Sequence, residues 1–153
     1  MAVTHGGGRA KQFCWTVADD HVVIENENGL VHRYAAWEIH KVVQALFRQF
    51  RSDWFPLANN VERMYRGTEK PGLGSIIYQI SRSGTLHAQG ASYLGVILEE
   101  AGLLEWNGRA RGIAWRFVSS PPGDEKALYQ RLSNAAGRVK RRGQRGAQRT
   151  HRA

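Results

Sequence analysis

Residues 91–118 read "ASYLGVILEEAGLLEWNGRARGIAWRFV", and the fold turns on how this stretch is read. Ala91, Leu94, Ile97, Leu98 and Ala101 recur at helical spacing and make one apolar stripe. Gly102 follows where a helix needs left-handed backbone to stop, and Leu103 is placed to fold back on the last turn. Leu104 and Trp106 then alternate with Glu105, and Ile113, Trp115 and Phe117 alternate with Ala114 and Arg116. The spacing predicts a helix over 86–101, capped by Thr85, and a hairpin over 103–118 with one apolar face. The hairpin tip, "NGRARG" at 107–112, is glycine-flanked and carries Arg109 and Arg111.

Working outward, "AAWEIHKVVQALFRQF" places Ile39, Val42, Val43, Leu46, Phe47 and Phe50 on one stripe and predicts a helix over 36–50. Pro56 suits the first turn of a helix over 57–66 that Gly67 ends. A third helix, 73–82, follows the loop "TEKPGLG" and is broken by "SGT". Upstream, 13–17, 21–25 and 30–34 are short β-rich runs that predict an antiparallel meander. Asn28-Gly29 is the strong hairpin signal, with both positions expected at positive φ. Cys14, the only cysteine, reads as a small buried hydrophobe, so no disulfide or Cys-based zinc site is expected. The glycine-rich residues 1–12 read as disordered, and "EKALYQRLSNAAG" as a final helix over 124–136. The expected class is α+β, with a single domain over 13–136.

The order of helices, glycine stop and basic-tipped hairpin from Gly72 to Val118 resembles the winged helix-turn-helix fold. The segment "YLGVILEEAGLLEWNGRARGIAWRF" is similar to the recognition-helix-to-wing part of many bacterial transcription regulators. The resemblance implies that 86–101 is a recognition helix and 107–112 a wing. Thr85, His87, Gln89, Ser92 and Tyr93 would then face DNA at the front of that helix, and Arg109 and Arg111 at the wing. One departure stands out: Glu99 and Glu100 occupy the later turns, so only the N-terminal half could face phosphates.

Charge points the same way. The chain has 153 residues and a net charge of +9, and seven basic residues fall between Arg138 and Arg152 without an acid among them. Residues 1–137 hold the other 15 basic and all 13 acidic residues, a difference of only +2. The stretch 137–153 therefore reads as a disordered basic tail, and Arg138, Lys140, Arg141, Arg142 and Arg145 as phosphate-backbone contacts. Asp19, Asp20, Glu25 and Glu27 flank predicted turns and read as solvated acids rather than a metal site. "TEKPGLGS" lacks the phosphate-loop pattern. No Ser/His/Asp or Cys/His pairing stands out, and no enzyme activity or cofactor is expected. The tryptophans read mainly as core, Trp106 and Trp115 above all.

The expectation is a double-stranded DNA-binding protein, a transcriptional regulator or DNA-organising protein. Two alternatives are an RNA or ribonucleoprotein binder and a protein-interaction adaptor on the same scaffold. The meander and the helix over 36–50 are candidates for a homodimer or partner surface. Without a membrane span or secretory signal, a soluble, cytoplasmic and nucleoid-associated protein is expected.

Overall fold

The computed structural model describes the backbone of residues 1–81 and 85–151, and the side chains of 1–81 and 87–138. Among the described residues it is a mixed α+β fold with two antiparallel sheets and six α-helices. The first sheet is β1 (Ala2–Val3), β2 (Gln12–Ala18), β3 (His21–Asn26) and β4 (Val31–Ala35), in that order. Alternation sets its faces: Phe13, Trp15, Val22, Ile24 and Tyr34 point into the core, while Cys14 and Thr16 face out. Cys14 is therefore exposed, contrary to expectation, because it falls on the opposite face of its strand from Phe13 and Trp15.

The turns of this sheet correct one expectation. The two-residue turn with both φ values positive is Asp19-Asp20 (51° and 60°), tying Ala18 to His21. At Asn28-Gly29 only Gly29 is left-handed, at 79°. The Asn26 side chain explains the difference, since its Oδ1 accepts the Asn28 and Leu30 N–H groups at 3.0 and 2.9 Å. The N-terminus is also not disordered. β1 pairs Ala2 with Phe13 and Val3 with Gln12, and Ala2 is buried.

Helix α1 (Ala36–Phe50) matches the expected 36–50 and buries Ile39, Val42, Val43 and Leu46. Pro56, however, does not open a helix. It belongs to the two-residue strand β5 (Phe55–Pro56), which pairs with Ala114 and Trp115 at a sheet edge, where a missing N–H does no harm. The second helix starts later, as α2 (Val61–Arg66), behind Asn60, whose Oδ1 accepts the Arg63 N–H at 3.1 Å. Gly67 ends it at φ 70°.

Helix α3 (Leu73–Ile80) starts on a glycine pair that is there for packing. A Cβ on Gly72 would meet Ala58 Cβ at 2.7 Å, and one on Gly74 would meet Ala58 O at 2.5 Å. Gly74 N–H donates to Leu57 O at 2.8 Å. The glycines of "PGLG" thus let α3 sit directly on the segment after β5. The break expected at Ser83-Gly84 lies outside the described residues.

The helix expected over 86–101 is two: α4 (Thr85–Gln89) and α5 (Ala91–Glu100). Tyr34 divides them. Its hydroxyl donates to His87 O at 2.5 Å, and Gly90 lies so close that a Cβ there would meet the Tyr34 hydroxyl and sit 3.1 Å from Cζ. Burial raises the Tyr34 pKa far above its ordinary value, with Glu38 and then Tyr93 adding to the effect, so the phenol stays a donor. The stop of α5 is as the sequence predicts. Gly102 has φ 75°, its N–H donates to Glu99 O at 2.9 Å, and Leu103 N–H donates to Leu98 O at 3.0 Å.

The hairpin strands β6 (Leu104–Trp106) and β7 (Ala114–Phe117) join β5 in the second sheet, ordered β5-β7-β6. Last comes α6 (Glu125–His151), which buries Leu128, Leu132 and Ala135. The backbone of 137–151 therefore continues as helix, where the sequence suggests a disordered tail. A packed first half supplies the nucleus, and Arg, Lys, Ala and Gln propagate a helix well. Among the described residues, no helix is long and apolar enough to cross a membrane.

A candidate nucleic-acid interface

The hairpin tip at 107–112 is held by its own polar groups. Asn107 Nδ2 donates to Gly112 O at 2.9 Å, and Asn107 Oδ1 accepts the Arg109 N–H at 3.1 Å. Trp106 Nε1 donates to Arg109 O at 3.1 Å. Gly108 and Gly112 take the two left-handed positions, φ 78° and 70°. Arg109 and Arg111 are both exposed on this braced loop.

Beside the tip lies a cleft of about 920 Å³. Arg111, Ala110 and Ile113 form one wall; Gln89, Ser92 and Tyr93, from the α4–α5 shoulder, form the second. The third is the N-terminal loop from Thr4 to Lys11, with Leu57 and Asn59 at one end. Among the described residues lining the cleft none is acidic, while Arg9, Lys11 and Arg111 are cations. Nothing local in the sequence marks Arg9 and Lys11, because glycines 6–8 suggest a structureless stretch.

That loop is instead anchored at both ends and in the middle. Thr4 N–H donates to Lys11 O at 3.0 Å, and Lys11 N–H to Thr4 Oγ1 at 2.9 Å. The His5 ring stacks on Trp106, centroids 3.8 Å apart and planes within 5°. His5 Nε2 lies 2.5 Å from Glu99 Oε2, which also accepts Trp115 Nε1–H at 3.1 Å. Glu99, which the sequence counts against a phosphate-facing helix, is thus engaged behind the cleft.

The structure brings together only part of the expected site. Gln89 is exposed and Ser92 half-buried on the cleft wall. Tyr93 also lines the cleft, but it is 5% exposed, packed edge-on against Phe13 at 5.0 Å. His87 faces inward. Its Nδ1 lies 3.0 Å from Glu38 Oε2 and in contact with Ser81 Oγ. Every residue of α5 is buried or half-buried, so this helix has no exposed face to lay in a groove. The sheet β1–β4 meets it at Tyr93, whose ring lies against Phe13 and His32. The sequence carries a sign of this: Tyr93 through Leu98 is apolar or glycine all round, the pattern of a buried helix.

Arg138 is exposed, and its guanidinium donates to Glu100 O at 3.4 Å, at the far end of α5 from the cleft. Among the described residues, Arg138 does not line the cleft. The side chains of Thr85, Lys140, Arg141, Arg142 and Arg145 lie outside the described residues.

Comparison with known proteins adds no relative. No family model, curated protein or solved structure matches this chain.

The buried Glu38–Ser81–His87 cluster has the residue types of a hydrolytic triad without its geometry. A nucleophile and its orienting acid must engage opposite nitrogens of the histidine. Here Ser81 Oγ and Glu38 Oε2 meet the same Nδ1, and Ser81 Oγ donates to Glu38 at 2.8 Å. Glu38 Oε1 also accepts the Ala35 N–H at 3.2 Å. The cluster ties the start of α1 to the end of α3 and to α4. Nearby His32 is 4% exposed and its Nδ1 has no hydrogen-bond partner. Burial, and then the neighbouring His87, hold its pKa below the ordinary value of 6.5. Among the described residues, no three His, Cys, Asp or Glu side chains come together as a metal site.

Proposed function

We propose that the protein binds double-stranded DNA along its phosphate backbone, in a transcription-regulating or DNA-organising role. The observation carrying this reading is the convergence of Gln89, Ser92 and Arg111 on one cleft wall and wing, with no acidic residue among the described lining. Arg109 projects from the same braced tip. These groups are hydrogen-bond donors and fixed cations, the types that take phosphate oxygens. Helix α5 does not enter the major groove in this reading, because it has no exposed face. Any base contact falls to Gln89, Ser92 and the wing arginines. The acid-free stretch from Arg138 supplies further non-specific attraction.

The test is a salt series of binding by fluorescence anisotropy, duplex DNA against single-stranded RNA. The R109A/R111A variant should weaken duplex binding by about 1–3 kcal/mol and flatten the salt slope by about 1.8, since each neutralised phosphate contributes about 0.9. A clear preference for RNA favours the ribonucleoprotein alternative. Loss of all nucleic-acid binding at physiological salt favours the adaptor.

A further inference from the structure

We propose that the glycine-rich segment Thr4–Lys11 is the second jaw of the cleft, closing with the wing on the phosphodiester backbone of one nucleic-acid strand. The inference rests on the nucleic-acid reading above and adds the strand-level ligand and two binding residues, Arg9 and Lys11.

Three observations carry it. First, the segment is built and held. Its ends are tied by the Thr4–Lys11 pair of hydrogen bonds, and it turns through a single 3-10 turn, Gly7–Arg9. His5 fastens it to the wing strand by stacking on Trp106 and to α5 through Glu99. Second, its glycines bring it up to the wing. Gly7 has φ 60°, and a Cβ there would sit 3.1 Å from Ala110 Cβ, so the two jaws meet at this point. Gly8 has nothing within 4 Å of where a Cβ would be, which leaves bare backbone beside the cleft. Third, both jaws bring cations to the cleft lining. Arg9 and Lys11 lie on the strap and Arg111 on the wing, all three exposed.

A cleft of about 920 Å³ is at the upper end of the range for enclosed small ligands. It accommodates a short run of one strand and not the body of a duplex. The lining offers cations and amide or hydroxyl groups, with Tyr93 the only aromatic ring beyond His5 among the described residues. That suits backbone contact better than serial base stacking. The strand could be one side of an intact duplex or a free single strand, and the ligand chemistry is the same for both.

The test compares full-length wild type, R9A/K11A and R109A/R111A on a duplex DNA 20-mer and on a single-stranded oligonucleotide of the same length, across a salt series (lengths of about 20 are ample for several phosphates). R9A/K11A should keep the wild-type circular dichroism spectrum, because both side chains are exposed. It should weaken binding roughly tenfold or more, and flatten the salt slope by about 1.8 on duplex or about 1.4 on single strand. A loss confined to the duplex probe identifies the source as one strand of a duplex, a loss confined to the oligonucleotide identifies a free strand, and a loss on both means that the jaws take either. If R109A/R111A weakens binding while R9A/K11A leaves affinity and slope unchanged on both probes, the second jaw is wrong and the wing reading stands. If wild type binds neither probe, both are wrong.

Discussion

Replacing Gly95 with Ala should destabilise the protein, although the same change on an ordinary helix would stabilise it. Gly95 lies in the middle of α5, against the face of Trp115. A Cβ there would meet Cζ2 of the indole and lie 2.5 Å from Cη2 and 2.7 Å from Cε2. Trp115 is 1% exposed and its Nε1 is committed to Glu99, so the ring cannot swing aside without losing both burial and hydrogen bond. Helix propensity favours Ala over Gly by about 1 kcal/mol. Overpacking a closed core costs about 1–3 kcal/mol, and this approach is close enough to belong at the top of that range. Full expulsion of the indole sets the ceiling, about 3–5 kcal/mol. The net expectation is a loss of about 2 kcal/mol. In urea this appears as a lower midpoint at constant m, and on heating as a fall of about 2–4 °C for each kcal/mol. Because Glu99 also holds His5, the variant should lose near-ultraviolet dichroism from Trp106 and Trp115 before it unfolds. A Gly95→Ala protein as stable as wild type, or more stable by the propensity gain, would refute the close packing of α5 on β7.

Gly102→Val should cost about 1–2 kcal/mol, since the position is open but its φ of 75° is disfavoured for a side chain with a Cβ; an unchanged urea midpoint argues that α5 ends elsewhere. His32 is held below its ordinary pKa of 6.5, so the folded state binds the proton less well than the unfolded chain. Its contribution is fully present above about pH 6.5 and is lost as pH falls from there toward the lowered folded value, by at most about 1.4 kcal/mol per pH unit. His32→Gln should remove that share of the slope, and identical pH profiles for variant and wild type between pH 7.5 and 5.5 would count against it. Ending the chain after Gly137 removes seven of the nine net charges. Affinity for all duplexes should then fall together and the salt slope should flatten, whereas a selective loss at one sequence would mean that the stretch reads bases.

Much of the fold is legible because its signals are local. The stripe of 36–50, the Gly102 stop and the alternating arms of the hairpin each follow from spacings within a few residues. What the sequence hides is who packs on whom. Gly90 looks like an interior helix residue until Tyr34, 56 positions earlier in the chain, occupies its Cβ space. Pro56 looks like a helix starter because its strand partners, Ala114 and Trp115, lie far along the chain. The cleft is legible by halves. Gln89, Ser92 and Arg111 come from the helix and hairpin pattern. Arg9 and Lys11 do not, because three consecutive glycines suggest freedom, and the Thr4–Lys11 hydrogen bonds, the His5 contacts and the paired strand β1 that remove it are not visible locally. Tyr93 and His87 mislead for a related reason: polar atoms on a helix look solvent-facing until the sheet over them is known.

The two-sided burial of α5 also constrains how the molecule can come apart. One flank of the helix carries Tyr93 against Phe13 of β2, and another carries Gly95 against Trp115 of β7. Each sheet therefore completes its core with the same ten residues. Neither sheet can be excised with an intact interior, so a separately expressed hairpin fragment would expose the surface that the meander covers. Native-state hydrogen exchange should accordingly show the amides of α5 opening only with global unfolding, as the slowest set shared by both sheets.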